Sequence, residues 1–248
     1  MRKYPAKSGP FEEALYFEQE EIEAVCETSL KSVGLYPDNP SPIRIERFLE
    51  KKFGLSPEYE DLPDGILGYT KFGPSGPEKV VLAAFLSSTE DKISERRIAT
   101  TIAHEAGHIL FHSDLFQSHF NKTSSDRFDG DLETQDDGTR TVLCRDLSYT
   151  SGKPSNYSGQ WWEHQANKAI GALLMPFGLL EISVAPFFEL PKNEKTYSQI
   201  PHLEPKKREE AILCLSEFFD VNPVAAKIRL EEIYPASKFR NYILKERI

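Results

Sequence analysis

Apolar positions recur at roughly helical intervals between Phe11 and Val33, where Leu15, Ile22, Val25 and Leu30 alternate with a Glu-rich background. That period predicts a first helix over this stretch. The run Tyr36-Pro-Asp-Asn-Pro-Ser-Pro42 breaks it. Ser41 and Pro42 then read as the N-cap and first position of a second helix, Ile43 to Phe53, closed by Gly54. Two strand-like runs, Gly65–Phe72 and Lys79–Leu86, flank the turn residues Gly73-Pro-Ser-Gly-Pro77 and predict a hairpin.

A long helix is expected from about Ser94 to His112, and another from Trp161 to Leu174, stopped by Met175-Pro176. Between them, residues 113–160 are polar and rich in Ser, Asp, Thr and Gly, and read as a long insertion loop. Lys206 to Ile233 predicts helix, turn, helix around Asp220-Val-Asn-Pro223. The expected class is α+β, a small antiparallel sheet packed on two helices, with a helical C-terminal module. Its expected divisions are 1–36, 37–180 and 181–248.

Composition narrows the functional classes. Of 248 residues 39% are hydrophobic and 28% charged, ordinary for a globular chain. A formal net charge of −9 disfavours non-specific nucleic-acid binding. No apolar run reaches the length of a signal peptide or a membrane span, so no membrane partner is expected. Cys26, Cys144 and Cys214 are odd in number and far apart, which suits reduced thiols and a cytoplasmic setting.

Candidate chemistry is concentrated in His104-Glu105-Ala-Gly-His108. Helical residues four apart share a face, so His104 and His108 can present two imidazoles to one cation. Glu105 lies about 100° around the helix, placed to meet an attacking water rather than the cation. Three fixed positions are weak evidence alone, and a surface helix with two solvated histidines would satisfy them. The flanking Ile98, Ile102, Ile109, Leu110 and Phe111 argue for an interior helix, where unpartnered histidines are costly. Gly107 marks a place where substrate or another segment comes close.

A hydrolytic zinc site needs a third protein ligand. His112 lies about 12 Å along the axis from His104, too far to share an ion with it, and is expected behind the ligands or in the core. Asp114 would need a turn after His108 that Phe111 does not favour. Glu163 is the better candidate: it shares a helical face with Asn167, and Ala166 between them permits close helix packing. Asn167 can orient His104 or His108 through the free ring nitrogen. Tyr149, Tyr157 and His164 are candidates for stabilising an oxyanion, with no geometry behind them.

Three strings together resemble the ImmA/IrrE metallopeptidases: His104-Glu-Ala-Gly-His108 after a hairpin, Glu163-His-Gln-Ala-Asn167, and Gly171-Ala-Leu-Leu-Met-Pro176. The resemblance covers about residues 40 to 180. It implies a Zn²⁺ site of His104, His108 and Glu163 with Glu105 as catalytic base. It also implies an endopeptidase that cleaves helix-turn-helix repressors and so releases mobile-element, stress or anti-phage defence genes. Cys144, in Val142-Leu-Cys-Arg145 of the insertion, resembles the inhibitory fourth ligand of a cysteine switch. Two other readings stand beside this one: a zinc-containing repressor-binding module without turnover, and a DNA-binding regulator using residues 206–233. The second helix of that module carries Lys227 and Arg229 but also Glu231 and Glu232, a poor set for reading DNA.

Overall fold

The structure is a computed structural model and describes residues 1–6, 11, 13–120, 132–134, 140–145, 161–188 and 203–235; of 118–120, 132–134 and 140–145 only the backbone is described. It is an α+β fold in two compact units, residues 1–36 with 43–174, and residues 37–42 with 175–248. The first 36 residues thus belong with residues 43–174, and the boundary falls at Met175 instead of 181.

The larger unit opens with strands β1 (Arg2–Pro5) and β2 (Glu13–Tyr16), paired antiparallel, and helix α1 (Gln19–Ser32). The first helix therefore begins eight residues later than its apolar period suggested. Residues 13–16 are taken up by pairing with β1, and a reciprocal Glu18/Glu21 capping box sets the start. Helix α2 (Ile45–Phe53) ends on Gly54 at φ 71°, as expected of a left-handed C-terminal cap. Its N-cap is Arg44, not Ser41: the Ile45 amide donates to the Ile43 carbonyl, so the chain turns into the helix only after Pro42 is passed.

Strands β3 (Pro57–Glu60), β4 (Ile66–Gly73) and β5 (Gly76–Ala83) follow, with β4 and β5 forming the hairpin. Helix α3 (Lys92–Phe120) is longer than its apolar pattern indicated. Asp91 starts it by accepting the backbone amides of Ile93 (2.8 Å) and Ser94 (3.0 Å). Within the segment read as a loop, α3 runs on to Phe120, and strands β6 (Leu132–Thr134) and β7 (Arg140–Arg145) extend the sheet. The added turns of α3 bury Leu115 and Phe116, and Phe116 stacks on Phe72 of β4 at 4.2 Å between ring centres. The strand order is β3-β5-β4-β7-β6, antiparallel throughout except for the parallel pairing of β3 with β5.

Helix α4 (Trp161–Leu174) crosses α3 on the side away from the sheet. Residues 101–109 of α3 are buried without interruption, because β4 and β5 cover one side and α4 the other. Two small residues make these approaches possible. A Cβ on Gly68 would lie 2.7 Å from the Val81 carbonyl and 2.9 Å from Thr101. One on Gly107 would lie 2.8 Å from the Ala169 Cβ and 3.1 Å from the Ala166 Cα. The segment that comes close to Gly107 is α4.

The smaller unit contains helices α5 (Phe177–Val184), α6 (Pro205–Phe218) and α7 (Pro223–Ile233). Asn222 caps α7 by accepting the Val224 amide. The helix, turn, helix pattern of residues 206–233 is present. Among the described residues no single helix is long and apolar enough to cross a membrane.

Candidate metal centre

Helix α3 supplies His104 and His108 one turn apart, and α4 brings Glu163 against both. The two Nε2 atoms lie 2.9 Å from each other. Glu163 Oε2 is 3.3 Å from His104 Nε2, and its Oε1 is 3.2 Å from His108 Nε2. All three side chains are buried, with His108 fully enclosed and Glu163 8% exposed. Among the described residues, this is the group of three ligating side chains close enough to hold a metal ion. Glu163, the residue expected as third ligand, thus lies beside both imidazoles.

The groups around the trio hold it in orientation. His104 Nδ1 lies 3.1 Å from Asn167 Oδ1, one turn along α4 from Glu163. His108 Nδ1 lies 3.2 Å from Nδ1 of His112, whose Nε2 is 2.9 Å from Gln165 Oε1. Gln165 in turn donates from its Nε2 to the Leu15 carbonyl of β2 at 2.6 Å. Trp161 meets the His112 ring edge to face at 5.7 Å. His112 is thus behind His108, where the axial distance along α3 places it. Asp114 is exposed and takes no part in the group.

Glu105 is fully buried beside this centre. Thr70 of β4 donates its hydroxyl to Glu105 Oε2 at 2.5 Å, and Oε1 has no hydrogen-bond partner. Burial raises the Glu105 carboxyl to about 7, against the lowering pull of His104 and of the Thr70 hydrogen bond. Burial also lowers His108, and lowers His112 to about 3, so both rings are neutral at physiological pH. For Glu163, burial alone would raise the carboxyl. The two imidazoles set against it, His108 first and His104 with it, outweigh burial and hold the group below the ordinary carboxylate range.

A charged carboxylate with a buried, unpartnered Oε1 facing two neutral imidazoles is an unfavourable arrangement by itself. A cation among the three donors removes the penalty, and on that ground the residues fit a metal ion.

Thr70 and Gln165 escaped the sequence reading. Thr70 had a usable signal: Gly68, Thr70 and Phe72 are the inward positions of β4, so the threonine is a buried polar group in need of a partner. Gln165 had none, since its role depends on where β2 passes. Cys144 lies on β7, its Cα opposite Gly68 of β4, so its backbone belongs to a paired strand and not to a free loop. The Cys144 side chain, Tyr149 and Tyr157 lie outside the described residues. His164 is exposed on α4.

No family model matches this chain, and no curated protein does. A solved structure described as a Mycobacterium tuberculosis transcriptional regulator is similar at 17% identity with a TM-score of 0.45. The match covers 86% of this chain and 46% of that one, so this chain spans less than half of its length. A likeness of that degree carries no argument about function.

Proposed function

We propose that this chain is a zinc-dependent endopeptidase in which His104, His108 and Glu163 hold the metal and Glu105 is the general base. The observation that carries the reading is the buried trio with a second carboxylate beside it. Tetrahedral zinc at about 2.0–2.1 Å from nitrogen and oxygen ligands sets neighbouring donor atoms roughly 3.3 Å apart. Here the two ring nitrogens are 2.9 Å apart, and each lies 3.2–3.3 Å from one of the two oxygens of Glu163. Three protein ligands with a base alongside is the pattern of a hydrolytic zinc site, whereas structural sites are closed by four.

Bound zinc supplies Lewis-acid polarisation of the scissile carbonyl and lowers the pKa of water in its shell. The protein's own residues do the proton work. Thr70 occupies Glu105 Oε2 and leaves Oε1 to take a proton from the attacking water. The same carboxyl returns that proton to the leaving amine, a task for which a value near neutrality is suited. Asn167 and His112 keep the imidazoles from turning away while this happens.

The nature of the substrate, a helix-turn-helix repressor, rests on the ImmA/IrrE resemblance alone. The competing DNA-binding reading is weakened by Arg229. One of the two basic residues offered by α7, it is 1% exposed and donates from Nε and Nη2 to the Met175 carbonyl at 3.2 and 3.1 Å. An arginine so engaged is not available to a phosphate or a base edge.

The test joins metal analysis to cleavage. Purified protein should carry about one zinc per chain. Co-expression with helix-turn-helix regulators encoded near its gene should yield a cut product that disappears with Glu105→Gln, a variant that still holds zinc. Loss of a general base is expected to slow turnover by about 10²–10⁴-fold. Protein without stoichiometric transition metal, or a Glu105→Gln chain that cuts as fast as wild type, refutes the proposal. A Glu105→Gln chain with full biological effect and no cutting in either form identifies a binding module instead.

A further inference from the structure

Resting on the metal-centre reading, we propose that His112 and Gln165 are positioning residues: a hydrogen-bond chain from the Leu15 carbonyl through Gln165 and His112 fixes the proton of His108 on Nδ1 and leaves Nε2 bare for the metal.

The chain has one consistent direction. A backbone carbonyl only accepts, so the Gln165 atom 2.6 Å from Leu15 O is its amide nitrogen. That turns the amide oxygen to His112, 2.9 Å away, and an oxygen without a hydrogen can only accept. His112 Nε2 therefore carries a proton. His112 is fully buried, and both ring nitrogens face neutral partners, a glutamine oxygen and an imidazole nitrogen. A second proton there would place an unpaired cation in the interior, so Nδ1 is bare. The 3.2 Å approach of His108 Nδ1 is then a donated hydrogen bond, and a ring that is to ligate a metal through Nε2 spends its one proton on it. His108 Nε2 has a lone pair and no hydrogen.

The same rule applied to Asn167 puts the His104 proton on Nδ1, since Asn167 Oδ1 is an acceptor 3.1 Å away. Both Nε2 atoms thus converge on Glu163 as lone pairs, 2.9 Å from each other with no proton between them. Free imidazole in water prefers the opposite tautomer, with the proton on Nε2. For His108 the structure reverses that preference from a point three hydrogen bonds away, on a strand that is remote from α3 in sequence. Trp161 against the His112 ring holds it in the plane that the relay requires.

Metal-free wild-type protein gives the first measurement: ring ¹⁵N NMR should show His108 protonated at Nδ1 and His112 at Nε2. Zinc affinity by competition with a chromophoric chelator gives the second. His112→Leu, which removes the acceptor, should bind zinc about 10–100-fold more weakly, the usual effect of losing a group that orients a ligand. His112→Asn, whose Oδ1 stands near the position of Nδ1, should recover most of that loss, and Gln165→Met should weaken binding in the same direction as His112→Leu. A packing role alone would make the Leu and Asn variants equally poor and would leave the wild-type tautomer unconstrained. His108 found protonated at Nε2 in the metal-free protein overturns the relay even if every variant fails to fold. Wild type that binds zinc, with His112→Leu binding equally well, overturns the relay and spares the metal centre. Wild type that binds no zinc overturns both.

Discussion

Replacing Gly107 with alanine sets two effects of known size against each other, and the structure says which property will register the outcome. The added Cβ would sit 2.8 Å from the Ala169 Cβ, 3.1 Å from the Ala166 Cα and 3.2 Å from the Ala166 carbonyl oxygen. Carbon atoms in ordinary contact are about 3.5–4.0 Å apart. The shortfall at Ala169 is therefore about 0.7–1.2 Å. None of the three atoms is the end of a flexible side chain, so α3 and α4 must separate. Overpacking of this kind costs about 1–3 kcal/mol. Exchanging glycine for alanine inside a helix returns about 1 kcal/mol. The net change in stability of the metal-free protein falls between nothing and about 2 kcal/mol of loss, too narrow to be the deciding measurement.

Metal affinity decides. Gly107 is the residue before His108, and the helix it would push away carries Glu163 less than one turn before Ala166. A binding constellation tolerates about 0.5 Å of misplacement, less than the helices must move. Zinc affinity of Gly107→Ala should fall at least tenfold, about 1.4 kcal/mol. At a zinc concentration 100 times the wild-type dissociation constant, wild type gains about 2.7 kcal/mol of stability from binding. The variant should gain less than about 1.5 kcal/mol at the same zinc concentration. Urea unfolding with and without zinc reads both quantities on one sample. A Gly107→Ala chain that gains about 1 kcal/mol and binds zinc like wild type would show that α3 and α4 are not in the contact from which this estimate starts.

Two further outcomes test the surroundings of the centre. Thr70→Val preserves shape but leaves Glu105 Oε2 buried without its donor, and should cost about 1–3 kcal/mol of stability together with peptidase turnover; Thr70→Ser should restore both, and an unaffected valine variant would dismiss the contact. Asp91 is held down to about 2, first by the Ser94 amide and then by the Thr89 and Ser94 hydroxyls. Its contribution is complete above the unfolded carboxylate value of about 3.9 and is lost as pH falls through about 2. Asp91→Ala should therefore melt below wild type at neutral pH, with the gap closing as pH approaches 2; a gap that persists in acid would mean that the cap does not depend on charge.

What the sequence made legible follows the range of the interactions concerned. Glu163 could be found because it shares a face with Asn167 on one helix and Ala166 permits close packing, all within five residues. Helix α4 began and ended where its apolar run and Met175-Pro176 indicated. The start of the first helix was misplaced because its apolar period runs through β2, whose pairing with β1 no local pattern announces. Strands β6 and β7 were hidden for the same reason: β7 pairs with β4, some seventy residues earlier, and β6 pairs in turn with β7. Short strands such as these owe their conformation to the neighbouring strand more than to their own residues.

Helix α3 shows why a short motif gained weight from its surroundings. A helix buried on every side is expected to be apolar on every side. Here the interior stretch carries Thr101, His104, Glu105 and His108, with His112 one turn further, all nearly or fully buried. Each is costly to desolvate; Thr101 donates to the Arg97 carbonyl of its own helix, and Asn167, Thr70, Glu163 and Gln165 answer His104, Glu105, His108 and His112 from other elements. Stability alone would favour leucine or alanine at these positions, since an apolar replacement of a buried polar pair is often neutral or better. Polar groups collected at such expense leave two nitrogens and a carboxylate converging, a set that could hold a metal ion.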